Sequence, residues 1–216
     1  MNMSYFSGRL KLNIMKPIVI CYPSELNNEI EAVNALFEAG LEILHVRKPA
    51  YSEAEMLNWI ESVDSKYYNR IVIHSHLAVA EVKGLRGVHF TSYNRHLIDD
   101  YSHTPLPKSI SVHSMTELIN LSESFSYALL SPVFESISKE GYGPAIDQSI
   151  LRNYLSKPHQ VKVFALGGID HKNVDVAKNL GFDGVALHGH LWAQFEKDSD
   201  VTGVVKRYTE VAEKWT

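Results

Sequence analysis

The feature that most constrains the fold is a repeated alternation of short apolar runs with segments of helical periodicity. The apolar runs are hydrophobic on nearly every consecutive position, as in parallel strands that are buried on both faces. Eight of them recur along the 216 residues, at 18–21, 41–46, 71–73, 87–90, 109–112, 127–130, 161–166 and 184–187. Strands that alternate with helices pair in parallel through right-handed crossovers.

Helix signals fall between these runs. Residues 25–39 carry apolar side chains at helical spacing and stop before Gly40, a residue favoured at helix ends. Ser52 and Glu55 form the Ser-x-x-Glu pattern of a capping box, which predicts a helix over 52–67. A short or missing helix is predicted over 93–107, which is polar and contains prolines. The remaining helices are expected over 77–83, 114–123, 146–155, 172–180 and 201–214.

Eight strand–helix units in a chain of about 200 residues predict an α/β fold, a single (β/α)8 TIM barrel with eight parallel strands. An open doubly wound sheet is the alternative. Its usual signal is a Gly-x-Gly-x-x-Gly after the first strand, but Tyr22-Pro23-Ser24 stands there instead. We therefore predict an N-terminal extension over 1–16 and one barrel domain over 17–216.

Composition narrows the classes of function. The chain is 45% hydrophobic and 21% charged, as in an ordinary soluble globular protein. A net charge of −4 without a basic stripe disfavours a nucleic-acid partner, and no apolar run approaches the roughly 18 residues that span a membrane. The single cysteine, Cys21, cannot form an internal disulfide, and the N-terminus lacks the apolar stretch of a secretory signal. These features predict a cytoplasmic protein.

In a barrel of this type the active site forms where the strands end. The residues at those positions are polar, cationic and rich in histidine, which indicates a site for an anionic small molecule. They are Tyr22, His45, Arg47, Lys48, His74, Ser75, His76, His89, Thr91, Ser111, His113, Ser131, Pro132, Gly167, Gly168, His188, Gly189 and His190.

Two glycine positions predict where a phosphate would bind. Gly167-Gly168 ends the seventh strand and Gly189 follows the eighth. Glycines at these strand ends let backbone N–H groups approach an anion beside a helix N-terminus. Two ordinary tight turns are the alternative. The planar guanidinium of Arg47 could bind the same phosphate, and Lys48 could add a positive charge there. Alternatively, Arg47 could pair with a carboxylate on a loop.

Two further features have both a functional and an ordinary interpretation. The segment after the sixth strand, residues 134–144, contains two hydroxyls, a lysine and two glycines, so it is either an anion-binding lid or a solvated surface loop. The eleven histidines could supply an acid, a base or metal ligands. A zinc site would need three or four of them to converge, and the alternative is hydrogen-bonded histidines without a ligand.

Several segments, in this order and spacing, resemble the thiamine phosphate synthases and the related thiazole tautomerases. The resemblance runs from about residue 18 to residue 208. It rests on Leu-His-Val-Arg at 44–47, Gly-Val-His at 87–89, Ser-Val-His-Ser at 111–114, Ser-Pro-Val-Phe at 131–134 leading to Ser-Ile-Ser-Lys at 136–139, Ala-Leu-Gly-Gly-Ile at 165–169 and Gly-Phe-Asp-Gly-Val-Ala at 181–186. This family also has a (β/α)8 barrel.

The resemblance implies a transferase of thiamine biosynthesis. Such an enzyme joins a hydroxymethylpyrimidine diphosphate to a thiazole phosphate and releases pyrophosphate, with Mg²⁺ as cofactor. It implies small phosphorylated partners and leaves a homodimer open. Ser111 and Lys139 are the implied catalytic residues. The other implied substrate and phosphate ligands are His45, Arg47, Lys48, His74, Ser75, Ser136, Ser138, Gly167, Gly168, His188 and Gly189.

The chain also departs from the family pattern. The family's Gln-x-Arg-x-Lys on strand two reads His45-Val46-Arg47-Lys48 here, and its two magnesium aspartates fall at His74-Ser75 and at Asn94. Asn94 is therefore the candidate metal ligand. Because the tautomerases also lack those aspartates, an isomerase that uses a mouth histidine as acid–base is the first alternative. A non-catalytic phosphate-ligand binder or regulator that has lost the magnesium site is the second.

Overall fold

Eight parallel strands form a closed barrel in the computed structural model, which describes residues 16–134 and 146–216. Each strand pairs with its neighbours in sequence, and the eighth pairs with the first. The strands are β1 Ile18–Ile20, β2 Leu44–Val46, β3 Ile71–Ile73, β4 Gly87–Phe90, β5 Lys108–Val112, β6 Tyr127–Leu130, β7 Lys162–Ala165 and β8 Gly184–Leu187. The predicted single (β/α)8 barrel is confirmed.

The barrel interior holds a small apolar cluster of its own. It comprises Ile18, Ile20, Ile43, Val72, Tyr127, Leu129, Phe164 and Ala186. On β2, Leu44 and Val46 pack outwards into the larger core between sheet and helices. Since side chains alternate along a strand, His45 between them points into the barrel, beside Ile20 of β1 and Val72 of β3.

Eight α-helices cover the outside of the sheet in the described part of the chain. They are α1 Glu29–Glu38, α2 Glu53–Ser62, α3 Ala78–Lys83, α4 Met115–Ile119, α5 Gln148–Leu155, α6 Val174–Leu180, α7 Gly189–Asp198 and α8 Val201–Trp215. The capping box of Ser52 and Glu55 is present. Gly40 has the positive φ, 92°, that favours glycine just past a helix. None of the described helices is long and apolar enough to cross a membrane.

The structure shortens one predicted helix, agrees with a second prediction and adds a helix that was not predicted. The helix predicted over 52–67 ends at Ser62, because Val63 is extended, and a 3-10 helix follows at Ser65–Arg70. Only a 3-10 turn, Arg95–Leu97, lies within 93–107, as the short-helix prediction requires. Helix α7 was not predicted. The extension over 1–16 lies outside the described residues except for Lys16, so it stays a prediction.

Candidate functional site

A pocket opens at the C-terminal mouth of the barrel, where β1, β2, β6, β7 and β8 end. It has a volume of about 290 Å³ and is lined by Ile20, Arg47, Ser131, Leu166, Gly167, Gly168, Ile169, Ala186, His188, Gly189 and His190. The inward-facing strand residues give it an apolar floor, and the residues beyond the strand ends give it a polar rim. This combination suits a small molecule with a ring and a charged group.

The turn after β7 requires glycine. Gly167 and Gly168 have φ values of 96° and 66°, a left-handed conformation that L side chains rarely adopt. A Cβ on Gly167 would also lie 2.9 Å from Pro132 Cα. Asn173 Nδ2 donates to Gly168 O at 2.6 Å and ties the turn to the start of α6. The turn is therefore a fixed backbone surface at the pocket rim.

Gly189 is the first residue of α7 and not part of a tight turn. The backbone N–H groups of Leu191 and Trp192 donate to His188 O. The N–H groups at the start of any helix have no intrahelical acceptor, and the helix dipole favours an anion there. Gly189 lines the pocket, and a Cβ on it would contact nothing within 4 Å, so the space beside Gly189 is open to a ligand.

Arg47 and His188 also face this pocket. No carboxylate of the described residues forms a salt bridge with Arg47. Burial, and secondly the charge of Arg47, lowers the pKa of His188 to about 4. His188 is therefore neutral at pH 7, and its ring lies parallel to that of Tyr22. Its Nε2 is buried without a hydrogen-bond partner in the described part of the chain.

A group of hydrogen-bonded polar side chains extends from beneath the mouth into the barrel. His45 Nδ1 lies 2.9 Å from His74 Nε2, and His45 Nε2 lies 2.6 Å from the Tyr127 hydroxyl. His89 contacts Ser109 Oγ and Ser111 Oγ, each at 2.8 Å. The structure thus brings together His45, His74 and Ser111, which the sequence selected as separate site residues. His45 is fully buried, so a ligand at the mouth would not contact it directly, whereas Ser111 is only partly buried.

Burial determines the charge of these histidines. It lowers the pKa of His45 to about 3, with a smaller contribution from the charge of Arg86. Burial and the neighbouring imidazoles also lower the pKa values of His74 and His89 well below the usual value. All three imidazoles are therefore neutral at pH 7, and each keeps a lone pair on one ring nitrogen.

The residues at the family's metal positions do not fit Mg²⁺. Asn94 Nδ2 donates to the backbone oxygens of His74 and His89, and its Oδ1 accepts from Thr91 N at 2.6 Å. Asn94 therefore closes the loop after β4, and its role as a metal ligand stays a prediction. Ser75 offers one buried hydroxyl, without a described partner. Magnesium prefers an octahedron of oxygens that includes carboxylates, and these residues supply none.

Lys48 is also placed differently from the prediction. Its side chain is fully buried, and Nζ donates to Glu29 Oε2 and Ser24 O, both at 2.6 Å. Trp59 Nε1 donates to the same Glu29 oxygen. In the structure Lys48 is thus held between α1 and α2 and is not among the residues that line the pocket. Its role as a point charge at the phosphate site stays a prediction.

Three predicted residues, Ser136, Ser138 and Lys139, lie outside the described residues, so their roles stay predictions. Sequence reasoning did not select Tyr127, Ser109 or Glu29. Ser109 could have been predicted from Ser111, because residues two positions apart on a strand point to the same face. The partners of His45 and Lys48 carry no local signal, because they come from distant parts of the chain.

Similarity to known proteins identifies the family to which this chain belongs. Residues 18–191 match the protein family described as thiamine monophosphate synthase. The chain belongs to this family. It is 24% identical over 188 residues to a thiamine-phosphate synthase from Dictyoglomus turgidum, covering 83% of this chain and 84% of that protein. The family is one of transferase enzymes of thiamine biosynthesis that act on small phosphorylated substrates.

Solved structures agree with this assignment. Thiamine phosphate pyrophosphorylase from Bacteroides thetaiotaomicron superposes with a TM-score of 0.77 at 29% identity, covering 93% of this chain and 96% of that one. The pyrophosphorylase from Pyrococcus furiosus gives a TM-score of 0.76 at 20% identity, with 94% and 98% covered. The second likeness concerns the fold alone.

Proposed function

We propose that this protein is a thiamine-phosphate synthase that joins a hydroxymethylpyrimidine diphosphate to a thiazole phosphate and releases pyrophosphate. The observation that carries the proposal is the mouth pocket, where a double-glycine turn, the start of α7 and Arg47 converge. Membership of the thiamine monophosphate synthase family gives this pocket its substrate class.

The thiazole phosphate would bind with its phosphate at Gly168 and Gly189. The turn after β7 and the first turn of α7 both present backbone to the pocket, and a helix start favours an anion. The thiazole ring would then rest on the apolar floor formed by Ile20, Leu166 and Ala186. A volume of about 290 Å³ corresponds to one small ligand of this kind.

The reaction is a substitution at the methylene carbon of the pyrimidine. The carbon–oxygen bond to the diphosphate breaks, and its electron pair leaves with pyrophosphate. The thiazole nitrogen then donates its lone pair to the methylene carbon. Arg47 would stabilise the departing negative charge through its guanidinium, and Lys139, Ser136 and Ser138 are proposed as further ligands of the diphosphate.

Ser111 has a different setting from these ligands. Its Oγ lies against His89 Nε2, so the neutral imidazole can orient the hydroxyl as a hydrogen-bond donor towards the pyrophosphate.

Mg²⁺ is expected from the family, yet the residues at the family's metal positions do not fit this ion, and no step of the reaction is assigned to it. The proposal includes a cytoplasmic location. A homodimer is compatible with it.

Product formation tests this function. Purified protein is mixed with both substrates and, in separate reactions, with Mg²⁺ or Zn²⁺, and thiamine phosphate is measured by mass spectrometry. Thiamine phosphate with an equal amount of pyrophosphate is the expected result. If no product forms under either condition while thiazole phosphate still binds, the synthase assignment is wrong.

The same protein sample can test the two alternatives. A tautomerase must exchange a proton, so a thiazole carboxylate phosphate incubated in deuterated water would gain deuterium. A non-catalytic binder would bind the thiazole phosphate but would neither form product nor exchange deuterium. No feature of the described residues favours either alternative over the synthase.

A further inference from the structure

Three histidines converge inside the barrel, and the proposed reaction uses only one of them, His89, to orient Ser111. His45, His74 and His89 come from β2, from the end of β3 and from β4, and one ring nitrogen from each lies within 4.8 Å of the others. No other group of three or more histidine, cysteine, aspartate or glutamate side chains in 16–134 and 146–216 is close enough to share a metal ion.

The spacing is close to that of a tetrahedral site. With metal–nitrogen distances of about 2.0–2.1 Å, tetrahedral ligands stand roughly 3.4 Å apart. His45 Nδ1 and His74 Nε2 are 2.9 Å apart, and the widest separation in the cluster is within 4.8 Å. Ring rotations that move nitrogens by about 1 Å would therefore complete the geometry.

The chemistry of the donors selects the type of ion. Neutral imidazoles suit zinc, copper, nickel and cobalt, whereas magnesium and calcium require oxygen ligands. No proton has to be displaced from a charged histidine at neutral pH, because burial keeps all three rings neutral. A transition metal therefore meets little proton competition in this cluster.

The surroundings resemble those of a metal-binding histidine, which donates its second ring N–H to a nearby acceptor. The Tyr127 hydroxyl stands in that place for His45, and Ser109 Oγ or Ser111 Oγ does so for His89. His74 is 92% buried, since 8% of it is exposed, yet its Nδ1 has no hydrogen-bond partner among the described residues. An ion bound at Nε2, the nitrogen that faces His45, would leave Nδ1 as the protonated nitrogen of this ring.

We propose that His45, His74 and His89 bind one divalent transition-metal ion of the zinc class inside the barrel, with a fourth position open to an anion. Three neutral ligands leave the ion's charge uncompensated, and the positive charges of Arg47 and Arg86 act on the same cluster. A hydroxide or a phosphate-type oxygen is therefore needed as the fourth ligand. The slight exposure of His74 places the entry on the side of the mouth.

The competing interpretation is a hydrogen-bonded network that needs no metal. His89 hydrogen-bonds to Ser109 and Ser111, and His45 hydrogen-bonds to Tyr127 and His74. Such a network could be satisfied internally except at His74 Nδ1. Metal binding without substrate separates the two interpretations, and it does not depend on the synthase proposal.

The experiment uses the untagged full-length protein, stripped with a chelator and then loaded with Zn²⁺ in an excess of Mg²⁺. After gel filtration, elemental analysis should find one zinc ion per chain, and the bound protein should melt at a higher temperature. The exposed His103 provides the matched control. His103→Gln should retain zinc, and His74→Gln should lose it.

Two measurements keep the test independent of a folding defect in His74→Gln. Tyr127→Phe, which removes only the hydroxyl beside His45, should weaken zinc binding by about 10–100-fold. In the wild-type protein loaded with Co²⁺, X-ray absorption should count three imidazole ligands. No retained zinc, equal retention by His74→Gln and His103→Gln, or fewer than three imidazoles around cobalt would each overturn the proposal.

Discussion

A single charge placed at the start of α7 should separate phosphate binding from folding. Gly189→Asp introduces a carboxylate where a Cβ contacts nothing within 4 Å and where φ is not restricted to glycine. An acidic side chain in a first helical turn is stabilising by about 0.3–1 kcal/mol. The barrel should therefore fold as well as the wild type or slightly better.

Ligand binding should respond in the opposite direction. At a separation of about 5 Å and an effective dielectric constant of about 20, one pair of like charges repels by roughly 3 kcal/mol. That energy corresponds to a loss of about two orders of magnitude in affinity. Gly189→Asn is the matched control, because it has the same shape without the charge.

Calorimetric titration with thiazole phosphate and urea unfolding measure the two effects on the same preparations. We expect Gly189→Asp to bind about 100-fold more weakly than Gly189→Asn, while the unfolding free energies of the two variants agree to within about 1 kcal/mol. Equal affinities for the two variants would refute the placement of the phosphate at α7.

Three further predictions concern Arg47, Lys48 and the buried histidines. Arg47→Gln should weaken phosphate binding by about 1.5–3 kcal/mol, roughly 10–100-fold. The same change should raise the pKa of His188, because the nearby positive charge is gone. An unchanged affinity in calorimetry and an unchanged His188 pKa in NMR titration would contradict this prediction. Lys48→Met should destabilise the fold by about 3–5 kcal/mol in urea, because Glu29 stays buried without its partner. The double variant with Glu29→Gln should recover most of that loss, and reduced ligand affinity in the double variant would return Lys48 to the binding site. Folding lowers the pKa values of the buried histidines, to about 3 for His45, so the unfolded chain takes up protons at a higher pH than the folded chain does. The stability that this contributes is therefore complete above the unfolded pKa of about 6.5 and falls as the pH drops towards the folded pKa values. Each histidine contributes up to about 1.4 kcal/mol per pH unit in that window, and equal urea midpoints at pH 7.5, 6.0 and 5.0 would contradict the buried neutral state.

Much of the fold was predictable because the pattern is local and repeated. All eight strands lie within one residue of the apolar runs or inside them. Helix α7 was missed because its start overlaps the glycine signal at Gly189, which resembles a turn, and its burial depends on Trp192 and Phe195 packing against the rest of the barrel. Local periodicity cannot show that type of tertiary stabilisation.

The mouth pocket followed from strand order, but the direction and depth of individual side chains did not. Arg47 and Lys48 are adjacent in sequence, yet one faces the pocket and the other is buried against Glu29. That difference arises because the inward and outward alternation of side chains along β2 continues past the end of the strand. The sequence prediction had applied this alternation only within the strand. The convergence of the histidines likewise depended on the pairing of β2, β3 and β4.

The most direct measurement of the central claim is a crystal structure of the protein with bound thiamine phosphate. We expect the phosphate in the mouth pocket, with its oxygens within about 2.7–3.2 Å of backbone nitrogens at Gly168 and Gly189, and the thiazole ring on the apolar floor. A phosphate bound away from both glycines, with the mouth pocket free of ligand, would show that the phosphate site is placed wrongly.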